Sequence, residues 1–301
     1  MSQPAHRQLW SGLSTDADDA PIALLGVPFD NAASYRKGAA QAPARIRDIT
    51  PHIAPLTEEG QSLEALRIRD YGDVPFDLEW ARYFAQVRHQ AQQALKHPFA
   101  IFLGGDHSVT IPLVEAFDQT QTQGFGIIHI DAHTDLMNEF EGHVWSHACT
   151  ARRYLESAHL ETKHVAFIGI RSWLQEEVDL VQKHNITVHT ARRVYQQGVT
   201  AIADEIIRQM AGLPALYLTL DIDCLDPAFA PGTGTPEAGG LSSRDLLELL
   251  RHLFAHLPIR AMDIVEVSPP LDTADITAMA AIKVIYEVLG MLSSTTLKPA
   301  N

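Results

Sequence analysis

Short apolar runs rich in β-branched residues recur along the whole chain, at residues 22–27, 99–103, 126–130, 165–170, 187–189, 215–220 and 259–267. Runs of this length read as buried strands. Between most of them lie stretches with helical patterning, at 78–95, 175–184, 201–210, 242–255 and 276–292. That alternation restricts the chain to one class of fold, α/β, with a parallel sheet covered by helices on both faces. In open parallel sheets, ligands bind beyond the carboxyl ends of the strands, so the residues just after each strand are the ones that bear on function.

Some helix signals are explicit. Ser242 can cap the first turn of a helix whose positive end Asp245 favours, and Asp275 stands in the same relation to Ile276. No internal repeat and no Pro/Ser-rich linker divides the chain, so residues 21–301 read as one domain. Residues 1–20 are polar and acidic, lack the apolar core of a secretory signal, and read as an N-terminal extension. No stretch reads as a membrane span, and the expected compartment is the cytoplasm. Cys149 and Cys224 are too few for a disulfide framework and read as small buried residues. The formal charge of −14, from 37 acids against 23 Lys plus Arg, repels a phosphate backbone and argues against nucleic acid as a partner. The same field would draw in a cation.

Three strand ends are unusually polar: Gly104-Gly105-Asp106-His107-Ser108, Asp131-Ala132-His133-Thr134-Asp135 and Asp221-Ile222-Asp223. In extended chain the side-chain period is two, which sends Asp131, His133 and Asp135 to one side, and Asp221 with Asp223 likewise. Taken alone, an Asp-x-Asp pair is an ordinary loop or cap, and His107 a satisfied core histidine. Together they form a cluster of carboxylates with no Lys or Arg, which costs several kcal/mol per buried charge unless cations enter or protons bind. Counting His107, four carboxylates and two imidazoles exceed what one catalytic ion takes with an open position, so the count fits two ions. The oxygen-rich, thiolate-free set favours a hard ion such as Mn²⁺ over Zn²⁺.

These motifs resemble those of the ureohydrolase family, which contains arginase, agmatinase, guanidinobutyrase and formimidoylglutamase. The resemblance extends over Gly26-Val27-Pro28-Phe29-Asp30, Ser34-Tyr35-Arg36 and Gly38, the three strand ends, Ser146-His147, the loop Pro231-Gly232-Thr233-Gly234-Thr235-Pro236, and Asp263-Ile264-Val265-Glu266-Val267-Ser268-Pro269. It implies a three-layer α/β/α fold with about eight parallel strands, shared by arginases and metal-dependent deacetylases. It also implies two Mn²⁺ per chain, bridged by Asp131 and Asp221, with His107 and Asp135 completing one site and His133 and Asp223 the other. Glu266 would grip the guanidinium, His147 would pass a proton to the departing amine, and Thr233 and Thr235 would wall the pocket. Asp135 would also orient the attacking hydroxide. The implied products are urea and an amine, and trimers or hexamers are common in the family.

Two rival readings are a single-zinc deacetylase, against which Asp135, Asp223 and His107 argue, and a non-catalytic binding relative, against which the complete ligand set argues. The segment Gly38-Ala39-Ala40-Gln41-Ala42-Pro43 departs from the family, which usually carries Arg and Gly there. His143 reads as a surface-loop histidine, and Trp145 packs over the entrance or under the loop. For the substrate, the loop 136–145 offers Glu139 and Glu141 and no cation, so the small cationic substrate agmatine is expected. Ser34-Tyr35-Arg36 and Ser268-Pro269-Pro270 also look agmatinase-like. Arg36, Lys37, Arg152 or Arg153 entering the pocket would favour a guanidino acid instead.

Overall fold

The computed structural model describes residues 9–295. Its strands are β1 (Ser14–Thr15), β2 (Ile22–Gly26), β3 (Ile68–Asp73), β4 (Phe99–Leu103), β5 (Phe125–Ile130), β6 (Leu160–Ile170), β7 (Thr187–Thr190), β8 (Leu216–Asp221) and β9 (Ile259–Val265). They form one sheet in the order β1-β3-β2-β4-β9-β8-β5-β6-β7 with every pairing parallel. The helices are α1 (Ala42–Ile49), α2 (Trp80–Ala94), α3 (Thr110–Thr120), α4 (Thr150–Tyr154), α5 (Gln175–His184), α6 (Ala191–Gln197), α7 (Val199–Gln209), α8 (Ser243–His256) and α9 (Ile276–Thr295).

The strands lack polar alternation because both faces are covered. Leu24, Ile101, Ile128, Leu218 and Met262 face one core with α1, α7, α8 and α9, while Leu25, Phe102, Ile127, Tyr217 and Ala261 face the other with α2, α3 and α4. Neighbouring residues along a strand thus enter different cores, as the period of two requires. The result is the expected three-layer α/β/α arrangement. The ninth strand is β1, whose two residues are too short to leave a pattern, and β3 escapes an apolar reading because Arg69, Asp70 and Asp73 occupy it.

Residues 9–20 are part of this fold, which corrects the reading of 1–20 as an extension. Trp10 and Leu13 are fully buried, the Trp10 indole N–H donates to Asp70 at 2.8 Å, and Ser14 and Thr15 pair with Ile68 and Arg69. Few apolar residues are needed when one is a tryptophan. Residues 1–8 lie outside the described residues. A second correction concerns α9: residues 276–293 are long and apolar enough to cross a membrane by length and composition. Ala278, Ile282, Ile285, Leu289 and Leu292 are instead buried against the sheet, so this is a core helix hydrophobic nearly all round.

Ser242 caps α8 as expected, its Oγ accepting from Asp245 N–H at 3.0 Å. Asp275 does not cap α9, because its carboxylate takes a forked pair of bonds from Arg45. Asp272 serves instead, accepting from the N–H groups of Thr277 and Ala278.

Candidate metal centre and substrate cleft

Strands β4, β9, β8 and β5 are neighbours in the middle of the sheet, and their carboxyl ends deliver His107, Glu266, Asp221 and Asp131 to one place. Close backbone approach makes this possible. Gly105 lies so near Phe29 that any side chain would collide with that backbone, and its carbonyl accepts from Glu266 N–H at 2.8 Å.

The His107 Nδ1 atom stands 3.0 Å from Asp131 Oδ2, 3.1 Å from Asp135 Oδ2 and 3.3 Å from Asp221 Oδ2. Beside this group, His133 Nδ1 lies 3.2 Å from Asp223 Oδ2 and 3.5 Å from Asp131 Oδ1. All six residues predicted as ligands are therefore in one cluster. The way they converge differs from the extended-chain argument, since β5 ends at Ile130 and Asp135 has the left-handed φ of 51°. A turn, not strand periodicity, carries Asp135 to His107.

The lone-Asp reading as a turn cap also holds, and it coexists with the cluster. Asp131 Oδ1 accepts from His133 N–H at 2.7 Å and Asp221 Oδ1 from Asp223 N–H at 2.8 Å. Each aspartate spends one oxygen on its own turn and turns the other to His107. The period of two does reach back to His129, which the sequence reading left out: its Nε2 lies 2.8 Å from Asp131 Oδ2 and its Nδ1 3.0 Å from the Tyr154 hydroxyl. His107, His129, Asp131 and Asp135 form one group of metal-competent atoms, and Asp131, His133 and Asp223 a second.

The proton count tests whether the cluster suits cations. Thr219 Oγ donates to Asp263 Oδ1 at 2.7 Å, and Asp263 Oδ2 accepts from Thr110 and Tyr217. With its hydroxyl proton given away, Thr219 must accept from His107 Nε2 at 2.8 Å. The neutral His107 ring then aims the lone pair of Nδ1, fully buried and without a hydrogen-bond partner, at three carboxylates. Only a proton or a metal ion reconciles them. Burial opposes charge on the imidazole, yet the carboxylates outweigh it and hold the His107 pKa well above its usual value. The same balance pushes His133 up to about 12, while burial and the Asp223 and Asp131 charges raise Asp221 well above the carboxylate range. Carboxylates and imidazoles gathered this closely, with the Nδ1 lone pair of His107 aimed at three carboxylates, fit divalent metal.

Glu266 closes the site from β9. It is buried, has a φ of 62°, and its Oε1 accepts from His107 N–H at 2.9 Å. A non-glycine residue in that region is strained, a feature common at functional sites. His147 Nδ1 sits 3.2 Å from the same oxygen, while Ser34 approaches His147 Nε2 through N–H at 3.2 Å and Oγ at 2.8 Å. Burial works against a charged His147, but the Glu266 bond and charge prevail and lift its pKa to about 9. Thr235 Oγ donates to Asp223 Oδ2 at 3.2 Å, and Thr233 is fully buried.

A cleft of about 680 Å³, open solvent at its mouth included, leads down to His133, Asp135, His147, Asp221 and Thr235. Among the described residues that line it, none is Lys or Arg. Arg36, Lys37, Arg152 and Arg153 are not among its lining residues; Arg36 donates to Gly234 O, Lys37 to Asn31 and Arg153 to Asn138. Glu139 and Glu141 do not line it either, which corrects the expectation drawn from the loop. Residues 140–143 make a tight hairpin turn with positive φ at Glu141 and Gly142, so both acids point to solvent while Met137 and Phe140 face inward. His143 lies against Trp80, with ring centroids 4.0 Å apart, and Trp145 packs on Phe84 under the loop, away from the entrance. Glu177 lines the cleft without having been anticipated. It accepts from Thr134 Oγ, Leu136 N–H and Leu174 N–H, tying the start of α5 to the Asp135 turn.

A three-layer parallel sheet with paired acid–histidine groups at its central strand ends defines a class of metal-dependent hydrolases. The comparisons narrow the class: residues 20–290 match the arginase family, and the chain belongs to it. Enzymes of this family use a binuclear metal centre and hydrolyse guanidino compounds. The chain is 33% identical to an agmatinase of Bacillus cereus over 90% of its own length and 92% of the relative's. It is 34% identical to a guanidinobutyrase of Pseudomonas aeruginosa, covering 92% and 87% of the two chains. The solved proclavaminate amidino hydrolase of Streptomyces clavuligerus superposes with a TM-score of 0.85 at 30% identity, covering 97% of each chain.

Proposed function

We propose that this ureohydrolase cleaves a guanidino compound whose tail carries no carboxylate, with agmatine as the substrate and urea and putrescine as the products. The observation that carries this reading is the cleft itself: acids at its floor and, among the described lining residues, no Lys or Arg to receive a carboxylate. A guanidino acid or the α-carboxylate of arginine would be desolvated there unpaired. The net charge of −14 steers a dication inward.

His107, Asp131, Asp135, His133, Asp221 and Asp223 are the residues proposed to hold two Mn²⁺, whose oxygen-rich donor set suits a hard ion. Bound there, the ions supply Lewis acidity and lower the pKa of water. The protein's own groups do the rest. Glu266 presents its free oxygen to the planar guanidinium, which donates to it through a charge-assisted N–H bond. Asp135 orients the attacking oxygen. As the C–N bond to the tail breaks, protonated His147 gives its proton to the departing nitrogen, the amine leaves as R–NH₂ with urea behind it, and the proton shed by the attacking water ends on the amine as R–NH₃⁺. Thr235, held by Asp223, walls the reacting centre. A cytoplasmic homo-oligomer, trimer or hexamer, belongs to the same proposal. Urea release from agmatine, arginine and 4-guanidinobutyrate by the Mn²⁺-loaded protein tests it: arginine or guanidinobutyrate preferred tenfold in kcat/KM overturns the substrate, and no release from any overturns the activity.

A further inference from the structure

Above its acidic floor the cleft changes character. Met137, Phe140, Trp173 and Leu174 form an apolar wall, and Leu174 leaves 45% of its surface exposed. An exposed leucine beside a half-buried tryptophan and phenylalanine, continuous with a reaction site, marks a surface built for an apolar ligand.

This wall is fixed in place. Met137 N–H donates to Ala148 O at 3.1 Å, Phe140 is held by its reciprocal bonds with His143, and Ser172 N–H, next to Trp173, donates to Ala132 O in the Asp131 turn. Leu174 N–H is taken by Glu177 at 2.7 Å. The wall is therefore coupled in position to the residues of the metal cluster, and a tail extending from a guanidinium at Glu266 would run along it. Nothing in the wall offers a charge to the end of that tail. The nearest candidate, Glu177, is 6% exposed and has both oxygens committed to backbone and Thr134 donors.

We infer that the tail site recognises methylenes and not a terminal charge, so that the enzyme takes N-alkylguanidines with uncharged tails as a substrate class at least as well as agmatine. The inference rests on the guanidine-cleaving activity proposed above and deepens it. Hydrolysis keeps the same balance: R–NH–C(NH₂)₂⁺ plus water gives urea and R–NH₃⁺, and no other reactant is needed. Pentylguanidine replaces the ammonium of agmatine with a methyl group of similar size, which isolates the question.

The experiment is a series of propyl-, butyl- and pentylguanidine beside agmatine, with urea release measured on the Mn²⁺-loaded protein. Each added methylene is expected to raise kcat/KM about fourfold, with pentylguanidine equal to or above agmatine. A flat series, or agmatine ahead of pentylguanidine, overturns the inference, the latter result assigning the tail to Glu177. Trp173→Ser is expected to flatten the series while the variant retains the wild-type metal content, and an unchanged slope would remove Trp173 from the tail site. Should no compound release urea, calorimetry separates the two proposals. Tighter binding of pentylguanidine than of agmatine keeps the tail site and sinks the catalytic reading, and binding of neither sinks both.

Discussion

Glu266→Gln is the most incisive single substitution in the cleft, because the structure dictates how the new amide must sit. Oε1 of Glu266 accepts the His107 N–H at 2.9 Å, so the glutamine must keep its only oxygen there. Its NH₂ group then occupies the position of Oε2, close to Gly234, where the proposed function places the guanidinium. A guanidinium has donors only, so the exchange replaces a charge-assisted bond with two donors pointed at each other. The lost bond contributes roughly 1.5–3 kcal/mol and the unpaired donor about 1 kcal/mol more, which together lower kcat/KM on the order of 10²-fold. Glutamine has the same shape as glutamate and inherits the same backbone strain, so the fold and the metal content are expected to persist. A second consequence follows for His147, whose pKa of about 9 depends on the Glu266 charge against the opposing effect of burial. Without that charge the imidazole loses its proton at lower pH, and the alkaline limb of the kcat profile moves down. Initial rates of urea release across pH, with bound metal measured by atomic emission, check both. A kcat/KM within threefold of the parent, at unchanged metal content, would refute the assignment of Glu266 to the guanidinium.

The metal cluster is expected to bind about two equivalents of Mn²⁺ per chain, and chelation should abolish urea release and lower the melting temperature, since metal bound only to the folded state stabilises it by about 2.7 kcal/mol at a hundredfold excess over Kd. A fully active protein with one ion per chain contradicts the site. Asp221→Ala should eliminate turnover while far-UV circular dichroism stays that of the parent; near-normal turnover would exclude Asp221 as a shared ligand. His147 as proton donor must be protonated to act, so kcat should fall as pH rises through about 9; in His147→Asn that limb should vanish along with most of kcat, and an unchanged profile excludes the role. Trp10→Ala should cost about 3–5 kcal/mol of stability, as expected for removing a buried aromatic, and a denaturation midpoint equal to the parent's would show that the N-terminal segment is dispensable packing.

The sequence by itself determined the layers and the chemistry. Strands such as Phe99–Leu103 and Ile259–Val265 are apolar without interruption because both sheet faces are covered, and that property is local enough to read along the chain. The acids and histidines of the three strand ends were legible for the same reason: polar residues directly after buried strands stand out. What the sequence could not fix depended on how the chain turns after leaving the sheet. Asp135 reaches His107 through a left-handed residue, and the hairpin at Glu141-Gly142 sends Glu139 and Glu141 outward while bringing Phe140 in, which reversed the expected character of the cleft wall. Trp173 and Leu174 join that wall from the segment between β6 and α5, far away in the chain. β3 and the buried Trp10 were missed because their stabilisation comes from Arg47 and Asp70 meeting across the fold, an ion pair and an indole bond that leave no periodic trace. Local patterning records which surfaces must be buried. Only the tertiary structure decides which polar and aromatic groups end up face to face, because that depends on backbone conformations outside the regular elements.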